Sequence, residues 1–333
     1  MATTEEALRL EPQARDALAR YGLPEPTELQ LLTFSENAVF WATFESHQAV
    51  VVRLHSIGYH TKAAVESEMM WLLALARDTD LTVSAPLATP SGEYVVTATH
   101  PSFEPRLAAV FRVLPGTAPA EDNLVVDYRM LGQTTARLHL HATSWTQPPN
   151  FERLAWDLDG VFGASPNWGP WRDGPNVGAD DIPVLHSAED LIRRRLTEYG
   201  QGRERYGLIH SDLRLGNVLV DGDAASVIDF DDCGFGWLLY DLASALTFIE
   251  DDPLVPALID SWLAGYTDVR PLDEDDIAII PTLIMMRRMV ILAWLGSRPG
   301  TELWRQEAPR YSKITVDMAN VYVASSGAAV LPS

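Results

Sequence analysis

Residues 208–220 read LIHSDLRLGNVLV, with His210, Asp212 and Asn217 set between two apolar runs. Twelve residues after Asn217 comes another acid, Asp229, in SVIDFDD. A capped polar turn accounts for one Asp or one Asn, but not for a further acid at the end of a second apolar run. The residue types suit phosphoryl transfer. That chemistry needs a carboxylate to take or orient the proton of an acceptor hydroxyl, and oxygen ligands to hold Mg²⁺ against a triphosphate. A short loop can place Asp212 and Asn217 on one wall. SVIDF, read as a strand paired with the first stretch, then delivers Asp229 beside them.

The elements that must hold these residues follow from periodicity. A helix over about 5–21 ends at Tyr21-Gly22-Leu23-Pro24. ELQLLTF, AVFWATFE and QAVVVRLH read as strands, followed by a helix at about 61–77 and the strands VVTATHP and RLAAVFRVL. After Pro115-Gly116 the pattern turns mostly helical, at about 121–143, 187–200, 238–249, 253–266, 273–296 and 300–324. The expectation is an α+β protein of two lobes. Residues 1–114 form a small antiparallel sheet with an N-terminal helix and one further helix, and 115–333 form a larger helical lobe. A cleft between two such lobes is a favoured ligand site.

Composition narrows the partners. The 333 residues carry 25 Lys and Arg against 46 Asp and Glu, a net charge of −21. Such a surface repels nucleic acid and anionic membranes, and suits either plain solubility or a cationic small molecule or peptide. The most apolar stretch, IAIIPTLIMMRRMVILAWLG (277–296), is interrupted by Pro281 and Arg287-Arg288 and reads as a buried helix rather than a membrane span. The N-terminal residues show no secretion-signal pattern. Cys233 is the only cysteine, so no intrachain disulfide forms, and a reducing cytoplasm is the expected location.

The loop with Asp212 and Asn217, followed by Asp229-Phe230-Asp231-Asp232, resembles the catalytic and metal-binding loops of the aminoglycoside phosphotransferase/choline kinase-like family. Those enzymes are relatives of the protein kinases, whose own signatures are H-R-D-x4-N and D-F-G. The resemblance implies a protein-kinase-like fold, ATP (with GTP as an alternative) and Mg²⁺. Asp212 would be the catalytic base or orienting group, and Asn217 and Asp229 the metal ligands. His210 would be a structural member of the loop, and Asp241 a buried aspartate that props up its backbone.

Other parts of the family pattern can be sought in the first lobe. Alternation in QAVVVRLH puts Val51, Arg53 and His55 on one face and Val50, Val52 and Leu54 on the other. By resemblance the first face roofs the adenine with Val51 and sends a cation to the phosphates. Here that cation is Arg53, where the family has lysine, and the two are not interchangeable. On the following helix Val65, Met69, Leu72 and Ala76 form the apolar stripe, and the wheel barely separates Glu68 from Glu66. The family's ion pair selects Glu68 as the partner of Arg53.

Ser35-Glu36-Asn37 stands where a protein kinase has a glycine-rich loop, and contains no glycine. Asn37 is either a phosphate contact or an ordinary turn residue. By the same resemblance Arg112 and Leu114 would meet the adenine through their backbone with Phe111 behind, and Leu219 would be a further nucleotide-binding residue. Trp168, Trp171 and Arg172 either line an acceptor pocket or pin a surface loop. Met285, Met286 and Met289 read as core filling, and Asp273-Glu274-Asp275-Asp276 as the complement of a helix N-terminus. Glu250-Asp251-Asp252 reads as a solvated helix end, with either acidic cluster a possible site for a cationic acceptor. His139, His141 and His186 show no metal-ligand spacing.

The reading that unites these features is phosphoryl transfer to a hydroxyl of an amino alcohol, amino acid or aminoglycoside-like molecule. A stress-response type Ser/Thr protein kinase and a non-catalytic nucleotide-binding regulator are the alternatives. Oligomeric state has no sequence signal.

Overall fold

The computed structural model describes residues 9–34, 37–119, 123–222 and 224–331. Contacts divide the chain into two units. The first comprises Met1–Gly116, Gln147–Arg153 and Asp221–Asp231; the second comprises Thr117–Thr146, Leu154–Val220 and Asp232–Ser333. The sequence reading has a single boundary at 114/115, whereas two later segments, one carrying Asp229, belong with the first unit. Their anchors are specific. Arg153 donates to the carbonyls of Ala64 (3.0 Å) and Asp231, and Phe230 meets Trp71 edge to face.

In the first unit, helix α1 (Glu11–Arg20) precedes strands β1 (Glu28–Phe34), β2 (Ala38–Thr43) and β3 (Val50–Leu54). Helix α2 (Lys62–Asp78), strand β4 (Thr82–Val83) and strands β5 (Val96–His100) and β6 (Phe103–Arg112) follow. The sheet order is β1-β2-β3-β6-β5, antiparallel throughout. Ala14, Ala17 and Leu18 of α1 pack with Phe40, Val50, Val52, Leu54 and Val110 into the core on one sheet face. Arg53 and His55 take the other face, as alternation requires, yet both are also buried. Helix α2 is capped by Thr61, whose hydroxyl accepts from the Ala64 amide at 3.0 Å. A short strand at Ala224–Val227 runs parallel to β4. The SVIDF strand therefore stops two residues before Asp229, which sits in a left-handed turn (φ 64°).

The second unit holds helix α3 (Leu124–Ser144), strand β7 (Leu154–Trp156), helices α4 (Leu158–Phe162) and α5 (Ile182–Tyr199), and strands β8 (Tyr206–Ile209) and β9 (Val218–Asp221). With β10 as the Ala224–Val227 strand, β11 is Gly234–Trp237, antiparallel to β8 and parallel to β7. Sequence reasoning missed β4, β7 and β11. Runs of two to four residues carry no period, and glycines argue against a strand. Here Gly234 is required because a Cβ would overlap the Leu154 carbonyl across the ladder.

Helices α6 (Tyr240–Ala245), α7 (Val255–Thr267), α8 (Glu274–Ser297) and α9 (Glu302–Ala324) complete the unit. Helix α6 is shorter than the expected 238–249. Helices α3 and α7 cross where Gly132 and Gly265 face each other's helix, and a Cβ on either would overlap the main chain of Trp262 or Arg129. Helix α8 begins with a reciprocal capping box between Asp273 and Asp276, the helix-start role expected of that acidic run. It is long and apolar enough to cross a membrane, but 83% of its apolar window is buried inside the unit. Met285, Met286 and Met289 are core residues.

Candidate active site

The second unit presents the Asp212 loop. Strand β8 ends at Ile209, and the chain turns at Ser211 with φ 64°, a conformation costly for a non-glycine residue. Asp241 at the start of α6 holds that turn: its carboxylate accepts from the amides of Ser211 (2.7 Å) and His210 (3.0 Å). It also receives His139 Nε2 at 3.1 Å. His139 Nδ1 lies 2.8 Å from Tyr266 Oη, which in turn accepts from Arg270 at 3.2 Å. This order of partners assigns the proton to Nε2 of His139. Burial keeps the His139 pKa below its ordinary value even though Asp241 opposes the shift. His210 is fully buried, and its Nδ1 accepts from the Asp212 amide at 3.3 Å.

Asp212 is held on three sides. Arg287 Nη2 donates to Oδ1 at 2.8 Å, and Arg214 Nε lies 3.2 Å from the same oxygen. Asn217 Nδ2 donates to Oδ2 at 3.0 Å and to the Asp212 carbonyl at 2.8 Å. The Asn217 amide nitrogen is thereby engaged on Asp212, leaving Oδ1 as its acceptor for any cation. Leu219 lies in β9, partly exposed.

The first unit brings Arg53 and Glu68 together. Arg53 Nη2 donates to both Glu68 oxygens at 2.6 Å, and both side chains are buried. Nη1 lies 3.8 Å from Asp231 Oδ1 and 3.9 Å from Asp229 Oδ1, while Phe111 lies beneath the guanidinium at 4.9 Å. Asp231 also receives Asn37 Nδ2 at 2.7 Å, with His55 Nδ1 at 3.3 Å and His60 Nε2 at 3.7 Å. Burial alone would raise the Asp231 carboxyl, but Arg53, His55 and His60 hold it well below the usual carboxylate range. The Asp229 carboxylate is 55% exposed.

Val51 is half-buried in β3, on the strand face of Arg53. The Arg112 amide donates to the Ala85 carbonyl at 3.0 Å, so it is not free for a base; Leu114, two residues on, is half-buried. Asn37 is engaged by Asp231 and by the Ser56 amide (3.1 Å), and Ser35 and Glu36 lie outside the described residues.

Three groups escaped sequence reasoning. Arg287 and Arg288 served only as an interruption in an apolar helix, yet both are 1% exposed and ion-paired. Glu250 was expected in solvent; it is buried and accepts from Arg288 at 2.7 Å, because a charge inside the core needs a partner. Asp231 counted only as a departure from D-F-G. The signal for the arginines and Glu250 lies in the sequence: two arginines inside an otherwise apolar run demand acids somewhere. Trp168 and Trp171 are buried rather than exposed, with Arg172 stacked on Trp171.

Comparison with known proteins identifies the family. The phosphotransferase enzyme family model matches residues 30–273. A microcompartment-associated aminopropanol kinase superposes with a TM-score of 0.88 at 40% identity, covering 95% of this chain and 98% of its own. Amicoumacin kinase of Bacillus subtilis (strain 168) is 26% identical over 292 residues, 84% of this chain and 83% of that protein. An amicoumacin kinase solved with AMP-PNP, Ca²⁺ and Ami has a TM-score of 0.71 at 21% identity, covering 88% of this chain and 89% of its own, a likeness of fold. The architecture is thus the α+β fold of the protein-kinase-like enzymes. The chain belongs to the phosphotransferase enzyme family and is a kinase that passes a phosphoryl group to an alcohol group of a small molecule.

Proposed function

We propose that the donor is ATP with Mg²⁺ and that the acceptor is a short amino alcohol of the aminopropanol type. The acceptor class rests on 40% identity to an aminopropanol kinase over nearly the whole chain, and a cationic amine suits the net charge of −21. The observation that carries the mechanism is the carboxylate of Asp212, locked by Asn217 and Arg287 on a loop braced by Asp241.

In this reading the acceptor hydroxyl bonds to Asp212. Its oxygen forms a bond to the γ-phosphorus, the bond from phosphorus to the β-bridging oxygen breaks, ADP leaves, and the hydroxyl proton passes to Asp212. Asn217 Oδ1 and the exposed Asp229 carboxylate are hard oxygen donors that fit Mg²⁺. When bound, the ion supplies charge neutralisation for the transferring group. Arg53, held by Glu68, would be the cation for the phosphates. Val51 and Leu219 would flank the adenine, and Leu114 is the backbone contact, because the Arg112 amide is already engaged. His210 and Asp241 are scaffold. The lobes at 1–114 and 115–333 are part of the proposal, with Asp221–Asp231 serving the first. The cytoplasmic location is supported only by the solitary, buried Cys233.

The test is ADP release with aminopropanol. Asp212→Asn should lower kcat by about 10³-fold while leaving nucleotide affinity within about twofold. A fully active variant would remove Asp212 from the mechanism.

A further inference from the structure

Arg287 sits in the middle of α8 among core methionines and leucines, 1% exposed. A charge so placed must be paired and hydrogen-bonded or it costs several kcal/mol. Two of its partners lie on the Asp212 loop, and two, Thr247 and the Tyr240 hydroxyl (3.4 Å from Nη1), lie elsewhere. Nη2 donates to Asp212 Oδ1 at 2.8 Å and Nη1 to the Ser211 carbonyl at 3.1 Å, while Nε donates to Thr247 Oγ1 at 3.0 Å. Two arms of one planar fork therefore grip two successive residues, and Ser211 is the residue in the left-handed conformation. Arg287 on Oδ1, Asn217 on Oδ2 and Arg214 beside both oxygens together orient the carboxylate.

The next residue provides an internal control. Arg288 is equally buried, but it donates to Glu250 Oε2 (2.7 Å), Thr315 Oγ1 (3.0 Å) and the Tyr311 carbonyl (3.1 Å), none of them in the Asp212 loop. One arginine stabilises the core; the other also stabilises a reacting group.

We infer that Arg287 is a positioning residue for Asp212, acting on the chemical step and not on nucleotide binding. This rests on the reading of Asp212 as the group that receives the acceptor proton. A misplacement of the order of 1 Å can cost about 100-fold in rate, so the effect should appear in kcat.

Full-length wild type, Arg287→Gln, Arg287→Lys, Arg288→Gln and Asp212→Asn would be assayed with ATP, Mg²⁺ and aminopropanol, with thermal unfolding recorded for each. Arg287→Gln should lower kcat about 100-fold with KM for ATP within about twofold. Arg287→Lys should recover part of this and remain about tenfold low, since one ammonium nitrogen keeps the charge but does not reproduce the planar fork whose separate nitrogens reach Asp212, Ser211 and Thr247. Arg288→Gln should lower the unfolding temperature while keeping kcat within about twofold.

The inference is overturned if Arg287→Gln keeps kcat within about twofold, or if Arg288→Gln loses as much kcat as Arg287→Gln. Should Arg287→Gln not fold, Arg287→Lys decides alone, and a loss under about threefold overturns the claim. A fully active Asp212→Asn would instead sink the underlying mechanism, whatever Arg287 does. If wild type is silent on aminopropanol, the acceptor assignment fails, and the same ranking is read from ATP hydrolysis with water as acceptor.

Discussion

Around Asp241 in the second unit, the buried polar atoms form a closed set. Two loop amides, His139, Tyr266 and Arg270 follow one another donor to acceptor, and none of these side chains has a buried atom without a hydrogen bond. Around Asp231 in the first unit, the set is open. Arg53 Nε, both ring nitrogens of His55, His60 Nε2 and Asp231 Oδ1 are buried without a hydrogen-bond partner among the described residues. Arg53 Nη1 lies 3.8–3.9 Å from the Asp231 and Asp229 carboxylates, and the His55 and His60 rings lie 3.3 and 3.7 Å from Asp231, but the hydrogen-bonding capacity of those buried atoms is not used. Native interiors hold few such atoms. A closed network keeps a loop in one shape, whereas an open one retains directional capacity for something that binds. The two clusters should therefore respond differently to mutation.

The largest effect is expected at the closed network. Asp241→Ala deprives two buried amides and one imidazole of their acceptor, at about 1–3 kcal/mol each, or about 3–9 kcal/mol in all by urea unfolding. A loss below about 1 kcal/mol would show that the set is not closed in the sense described. At the open cluster, Arg53→Lys keeps the charge but removes the fork. KM for ATP should rise about tenfold, close to 1.4 kcal/mol, with folding stability changed by less than about 1 kcal/mol. An equal loss of folding stability would erase the contrast.

The smallest effect concerns pH. His139 is kept neutral by burial, so its folded pKa lies below that of the unfolded chain. Its contribution is complete above the unfolded value of about 6.5, and it fades as pH falls from there toward the folded value. Between about pH 8 and pH 5.5 the wild type should lose about 1 kcal/mol that His139→Gln does not. His55, shifted in the same direction mainly by burial, remains in both proteins, so the difference isolates His139. Identical pH dependence in the two would place His139 outside the closed network.

What could be seen in advance was local. The spacing from His210 to Asn217 and the alternation in β3 are written within a few residues, and both lead to the correct faces. The pairing of Arg53 with Glu68 required the family pattern, since the helix wheel alone did not choose between Glu66 and Glu68. What stayed hidden was non-local. Arg287 and Asp212 are 75 residues apart, and Arg288 and Glu250 are 38 apart. An acidic triplet looks solvated until the arginine that buries its first member is known. Similarly, β11 forms because its glycines allow close approach to β7, and propensity counts those same glycines against a strand.

The crossing of α3 and α7 has a consequence beyond packing. His139 lies two turns beyond Gly132 on α3, and Tyr266 directly follows Gly265 on α7. The 2.8 Å link between those two side chains depends on how closely the backbones approach, and through Asp241 that spacing reaches the Asp212 loop. Sequence drift at positions 132 and 265 is therefore confined by atoms that are missing. A single added methyl group would have to be accommodated all the way to the Asp212 loop, although neither glycine carries a functional group.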